Sequence, residues 1–231
     1  MNRGPIERPP LKDPDMPKLS PRVPRRSHLA AAFVAAAIAF GAFAVPASAA
    51  ADAASAATIA VEGQAVPTSA KVAGADLQLN GAGVRAWSFY KAYVAALYLP
   101  KKATSVGDVV GQAGAKRVQL RILMTVPGSS GYLADAFTGG IKKRVTADQY
   151  TGMKDRIDLF DKMVRGLDVK KGDVVNLDFV PDAGLTVLLN GKQVGNAVPG
   201  TDLYAAMLKI WVGDDAKDKP LRAAMLGGTP S

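Results

Sequence analysis

The chain has 231 residues, with 29 basic and 20 acidic side chains, one histidine and no cysteine. Without cysteine the chain has no disulfide framework, no thiolate zinc site and no cysteine nucleophile. The single histidine, His28, lies in the leader described next. The segment after the leader therefore excludes a Ser-His-Asp triad and any histidine-based metal site, and we predict neither a metal nor a cofactor.

The N-terminal 49 residues have the three parts of a secretion signal. A proline-rich, basic region extends to residue 24 and is followed by an uncharged apolar run over 29–45. Small residues at 47 and 49 then form the A-x-A pattern that a signal peptidase cleaves. We therefore predict a signal peptide over 1–49 and a periplasmic or secreted protein. An uncleaved anchor is the alternative, because the run approaches the roughly 17–25 residues that span a bilayer.

Two further features of the leader concern the export route and the start codon. Arg25-Arg26 allows a twin-arginine signal. His28 stands where such signals usually have an apolar residue, so Sec export is favoured; Met16 is an alternative start. After cleavage we expect no stable membrane span. The remainder has a net charge of +5, because the leader holds seven of the basic and three of the acidic residues. That mild charge does not indicate nucleic-acid binding.

The rest of the chain predicts one domain over 58–231, preceded by a flexible lead-in over 50–57. Short strands are expected at 58–61 and 75–79. The Asn-Gly-Ala-Gly sequence at 80–83 predicts a turn after the second of them.

The longest strand-like stretch covers 84–99, is rich in aromatic residues and ends at Pro100. If it is one unbroken strand, alternation places a guanidinium, an ammonium and three aromatic rings on one face. Such a face predicts the floor of an apolar cleft with a few polar anchors. The residues of this face are Arg85, Trp87, Phe89, Lys91 and Tyr93.

After residue 104 the sequence predicts a short helical turn and a strand, then a run of helices, a run of strands and two final helical segments. The helical segments are 105–112, 131–145, 146–167 with Thr146 as N-cap, 201–212 with Thr201 as N-cap, and 221–226. The strands are 117–126, 173–180, 185–189 and 193–197, with a tight hairpin at Asn190-Gly191. Segregated strands and helices predict the α+β class, with a long antiparallel sheet and helices layered on one face.

Three segments together resemble the chalcone isomerase-like proteins, in their small secreted bacterial branch. They are LNGAGVR at 79–85, FYKAYVAALYL at 89–99 and LKIWVGD at 208–214, within a resemblance that covers about 58–227. The resemblance implies an open-faced sandwich with a cleft between sheet and helices. Plant enzymes of this family close a chalcone into a flavanone without a cofactor, whereas other members bind fatty acids.

The resemblance also implies site residues. Arg85 matches the strand arginine that holds negative charge in the plant enzymes, and Tyr132 matches the tyrosine after the strand-Pro-Gly segment. The threonine that assists through water is replaced by Tyr93. An asparagine position holds Gly139, and a serine or threonine position on the late helix holds Tyr204. The implied catalytic set is thus Arg85, Tyr93 and Tyr132, and these departures leave flavonoid isomerase activity open.

Arg85 is the strongest binding candidate, because a guanidinium on an apolar face needs an acidic neighbour or an anionic ligand. A structural ion pair is the alternative. Trp87, Lys91, Tyr93, Tyr132 and Tyr204 complete the predicted ligand-binding set, although a strand-edge role is the commoner one for such a lysine.

Three functions follow from these residues. The first is an exported module that binds a small amphipathic or aromatic acid, such as a fatty acid or a phenolic, enone-like acid. The second is a cofactor-independent isomerase, an intramolecular lyase of the chalcone-to-flavanone type. The third is a structural envelope protein without a ligand.

Overall fold

The computed structural model describes residues 57–87, 90–125 and 127–231. The predicted signal peptide, nearly all of the predicted lead-in and Phe89 lie outside the described residues. No helix in the described ranges is long and apolar enough to cross a bilayer.

The fold consists of nine strands and five helices in the described ranges. The strands are β1 (Thr58–Val61), β2 (Gln64–Pro67), β3 (Ser69–Val72), β4 (Ala75–Trp87), β5 (Tyr90–Leu99), β6 (Lys116–Ile122), β7 (Val174–Val180), β8 (Gly184–Leu189) and β9 (Lys192–Val198). The helices are α1 (Val106–Gly111), α2 (Ser129–Lys142), α3 (Ala147–Arg165), α4 (Thr201–Val212) and α5 (Lys219–Met225). Strands β3 to β9 form one antiparallel sheet in chain order, so each strand pairs with its sequence neighbour. The predicted α+β class is confirmed.

The two faces of the sheet bury different clusters. The larger cluster joins side chains such as Leu97 and Leu120 to Phe137, Phe160 and Trp211 of the helices. The opposite face packs β4 and β5 side chains against the separate β1–β2 hairpin. Alternation along each strand produces this division. The predicted layering of helices on one face is therefore confirmed.

The turn predicted at 80–83 is wrong, because these residues lie in the middle of β4. The Asn80 side chain is buried, where it donates to the carbonyls of Ala103 and Met225 and accepts from the Ala103 amide. A Cβ atom at Gly81 would overlap the Ala224 carbonyl oxygen of α5. The glycine therefore marks the close approach of a helix to a strand and not a reversal of the chain.

The unbroken strand predicted over 84–99 is also wrong, because the chain reverses between β4 and β5. The two strands pair antiparallel, with Arg85 opposite Tyr93 and Ala86 opposite Lys91. The register shift between these two pairs places Lys91 on the other face of the sheet from Arg85. No glycine or proline marks the reversal, so the sequence carries no turn signal there.

Strands β2 and β3 have no counterpart in the prediction, and the other elements follow it with shifts at their ends. Thr146 caps α3 in a full capping box, and the hairpin at Asn190-Gly191 has the positive φ angles of a tight turn, 51° and 81°. The strand predicted over 117–126 ends at Ile122. The N-cap of α4 is Gly200, with φ of 110°, and not Thr201 as predicted.

Candidate functional site

The site lies where the ends of β4 and β5 meet α4 and α5. Arg85 and Tyr93 are direct cross-strand partners, which places their Cβ atoms about 5 Å apart on one face. Tyr93 packs against the helix-side core cluster. The two residues that the sequence analysis placed on one face are therefore together in the structure. They come from two strands of a hairpin, and not from a single strand as predicted.

The Arg85 guanidinium is mostly sheltered and weakly partnered. Its side chain is 34% exposed, and its Nη1 lies 3.8 Å from Oδ2 of Asp218. At this distance the two groups form an ion pair, but they are too far apart for a hydrogen bond. Within the described residues, no N–H group of this guanidinium donates a hydrogen bond to the protein. A planar fork of five donors therefore remains available to a ligand.

Asp218 is held in place by the protein backbone. Its Oδ1 accepts from the Leu221 amide at 3.1 Å as the N-cap of α5, and its Oδ2 accepts from the Ala86 amide at 3.3 Å. These two bonds fix the carboxylate between α5 and β4. Its side chain is mostly buried and lies beside the Arg85 guanidinium.

The Tyr93 hydroxyl is an oriented hydrogen-bond donor. Its oxygen accepts from Nε1 of Trp211 at 3.1 Å, and Trp211 is 2% exposed, with its ring edge-on to Phe137. The hydroxyl hydrogen has no acceptor among the described residues. Burial raises the pKa of Tyr93, against an opposing effect of the Arg85 charge. The hydroxyl therefore stays protonated and able to donate.

The structure places Lys91, Tyr132 and Tyr204 apart from this pair. Lys91 forms an ion pair with Glu62 at 2.7 Å, at the turn of the β1–β2 hairpin. Tyr132 lies in the first turns of α2 and is 68% exposed. Tyr204 is buried on α4, where its hydroxyl donates to the Leu177 carbonyl. Trp87 ends β4, and its side chain is outside the described part.

Asp218 is the site residue that sequence reasoning missed. An aspartate directly before Lys-Pro is a typical N-cap signal, so the start of α5 was available from the sequence. The contact of Asp218 with Arg85 could not be predicted from the sequence, because 132 positions separate Asp218 from the Ala86 amide next to that arginine.

Two cavities lie elsewhere on the helix side. One, of about 310 Å³, lies between the end of α1, the start of β6 and α4. The other, of about 330 Å³, lies between α3 and α4. Neither is lined by Arg85 or Tyr93. Over the described ranges, no three His, Cys, Asp or Glu side chains are grouped so as to hold a metal ion.

The chain is similar to one known protein family in sequence and to a solved structure in fold. Residues 57–227 match the model of a family described as chalcone isomerase-like. A crystal structure of a fatty-acid binding protein from Arabidopsis thaliana is similar at a TM-score of 0.57 and 16% sequence identity. That match covers 71% of this chain and 92% of the plant chain, and it supports the fold. No curated protein matches the sequence.

Proposed function

The chain belongs to the chalcone isomerase-like family, and from that premise we propose that its domain binds a small amphipathic acid whose carboxylate is held by Arg85. The single observation that carries the proposal is the set of unused donors at the site. Arg85 is two-thirds buried, yet no N–H of its guanidinium donates to a described residue. The adjacent Tyr93 hydroxyl also has a hydrogen to donate.

A carboxylate matches these donors in charge and in shape. The guanidinium fork can make two parallel hydrogen bonds to one carboxylate, and charge-assisted bonds of this kind are about twice as strong as neutral ones. The Tyr93 hydroxyl adds a third donor from the opposite strand. Behind Tyr93, the buried Trp211 ring holds the hydroxyl in place and packs edge-on against Phe137.

Two observations favour binding over isomerisation. The tyrosine implied as a catalytic partner, Tyr132, is mostly exposed, and the Tyr204 hydroxyl already donates to a backbone carbonyl. A fatty-acid binding protein with this fold supports an acid as the ligand class. We therefore assign Arg85 and Tyr93 to ligand binding, with Lys91 and Tyr132 outside the carboxylate contact.

Export of the domain is part of the same proposal. The leader pattern at 1–49 supports cleavage after Ala49 and work in the periplasm or outside the cell. N-terminal sequencing of the processed protein tests this, and we expect the mature chain to begin at Ala50. A processed chain that still carries the apolar run would contradict it.

Native mass spectrometry tests the ligand directly. We expect protein purified without detergent to carry an added mass that organic extraction releases as a carboxylic acid. Chalcone cyclisation followed by absorbance is the companion assay, and we expect no rate above buffer. Ligand-free protein that does not bind any added fatty or phenolic acid would contradict the proposal.

Asp218→Asn is expected to tighten acid binding up to about fivefold, because it removes the negative charge that competes for Arg85. Exposed or partly exposed ion pairs contribute about 0.2–1 kcal/mol, which sets this range. Asparagine remains a good N-cap, so the stability of α5 should change little. Titration calorimetry with dodecanoate measures the affinity, and thermal unfolding is the control for the fold. Weaker binding in Asp218→Asn would contradict the competing role of this carboxylate.

A further inference from the structure

Lys116 is a buried lysine on the apolar side of the sheet. It is the first residue of β6 and pairs with Phe179 of β7. Alternation puts its side chain on the same face as Val118 and Leu120, which belong to the helix-side core. Only 4% of the residue is exposed. The Lys116 ammonium group therefore lies on a sheet face that is otherwise covered by buried apolar side chains.

The Lys116 ammonium has no acidic partner in the described ranges. Its Nζ donates to the Gln112 carbonyl at the end of α1 and lies 5.7 Å from the centre of the Phe179 ring. Two of its three N–H donors remain unassigned among the described residues. The neighbouring Arg117 forms a bidentate pair with Asp178 at 2.6 Å. Asp178 thus neutralises Arg117, whereas the adjacent Lys116 has no counter-ion in the part of the chain that the structure describes.

A cavity of about 310 Å³ adjoins this ammonium. Its volume is near the lower end of the roughly 300–1,000 Å³ typical of small-molecule sites. Lys116 is the charged residue among the described residues that line it, and the walls include the rings of Phe179 and Tyr204. Other apolar walls come from Val110, Pro181 and Leu208. An apolar hollow with one cation fits a molecule with one negative end and a hydrocarbon body.

We propose that this cavity is a second binding site, which takes a short carboxylic acid with its carboxylate on the Lys116 ammonium and its chain between Phe179 and α4. A buried charge without a partner is unfavourable, and an anion arriving with its own hydrogen-bonding oxygens offsets that cost. Burial lowers the pKa of Lys116, and a bound carboxylate would raise it again. The second site does not depend on the Arg85 proposal.

Titration calorimetry with octanoate tests the second site on the purified full chain. We expect two equivalents to bind the parent protein, one at Arg85 and one at Lys116. Lys116→Met should lose one equivalent or weaken it by about tenfold or more, since a charged hydrogen bond is removed. Methionine has a similar length without the charge, so the variant should keep the fold. Lys192→Met, on an exposed lysine of β9, is the matched control and should retain both equivalents.

The variants separate the failure of one proposal from the failure of the other. Arg85→Met should lose the first equivalent and retain the Lys116 equivalent. If Lys116→Met binds octanoate with the parent's stoichiometry and affinities, the second site is refuted, whatever Arg85→Met shows. Binding of 1-octanol to the parent protein at this site as tightly as octanoate would also overturn it, because the neutral alcohol cannot pair with the ammonium.

Discussion

Gly81→Ala is expected to lower the free energy of unfolding by about 3 kcal/mol or more, the upper range for overpacking. The added Cβ would overlap the Ala224 carbonyl oxygen of α5 and press on the Met225 backbone. Backbone atoms cannot rotate away as a side chain can, so the whole helix would have to shift. Urea unfolding followed by circular dichroism measures the change.

Gly152→Ala is the matched control for this substitution. Gly152 is exposed in the middle of α3, and a Cβ atom there meets nothing within 4 Å. Alanine should therefore stabilise the helix by roughly 0.5–1 kcal/mol, through the lower backbone entropy of the unfolded chain. If Gly81→Ala were as stable as the parent protein, the close packing of α5 on β4 would be wrong.

Asn80→Ala should destabilise the protein by about 3 kcal/mol. Each of the three backbone groups bonded to the Asn80 side chain, at Ala103 and Met225, would be left in a buried site without its partner. A buried group without a hydrogen bond costs about 1–3 kcal/mol, and partial relaxation or entry of water reduces the sum. Thermal and urea unfolding report the loss.

Gln78→Ala controls for the removal of an amide from the same strand. Gln78 is exposed and donates to the Pro100 carbonyl, so water can replace it there. We expect a change below about 1 kcal/mol. Equal losses in Asn80→Ala and Gln78→Ala would contradict the buried role of Asn80.

Asn80 and Gly81 matter to the site because α5 packs against β4 at these two positions. Asp218 is the N-cap of α5, and its carboxylate lies beside Arg85. The Asn-Gly-Ala-Gly sequence is thus part of the scaffold that presents the arginine, a role that its turn-like composition conceals.

Local patterns predicted much of the fold. Thr146 and Gln149 form a capping box that the sequence signals directly, and Asn190-Gly191 forces a tight hairpin through its backbone preferences. Turn residues separate β7, β8 and β9, so these strands could also be predicted from the sequence. These elements depend on interactions between residues close in sequence.

Features that depend on distant contacts could not be predicted. The aromatic-rich stretch around the β4–β5 reversal favours a strand and has no turn signal. Only the sheet register shows that Arg85 pairs with Tyr93. The glycine at 81 is explained by a helix 143 positions later. Lys116 directly precedes the strand predicted over 117–126, as an ordinary flanking lysine would, and the sequence does not show that this residue is buried beside the end of α1 and α4.

The most direct test of Arg85 as the anchor is a comparison of dodecanoate binding to the parent protein and to Arg85→Met by titration calorimetry. Arg121→Met, which changes a half-buried arginine on the opposite face of the sheet, is the control. We expect Arg85→Met to bind dodecanoate about tenfold or more weakly, whereas Arg121→Met should keep the affinity of the parent protein and both variants its fold. Dodecanoate bound by Arg85→Met with the parent's affinity would contradict it.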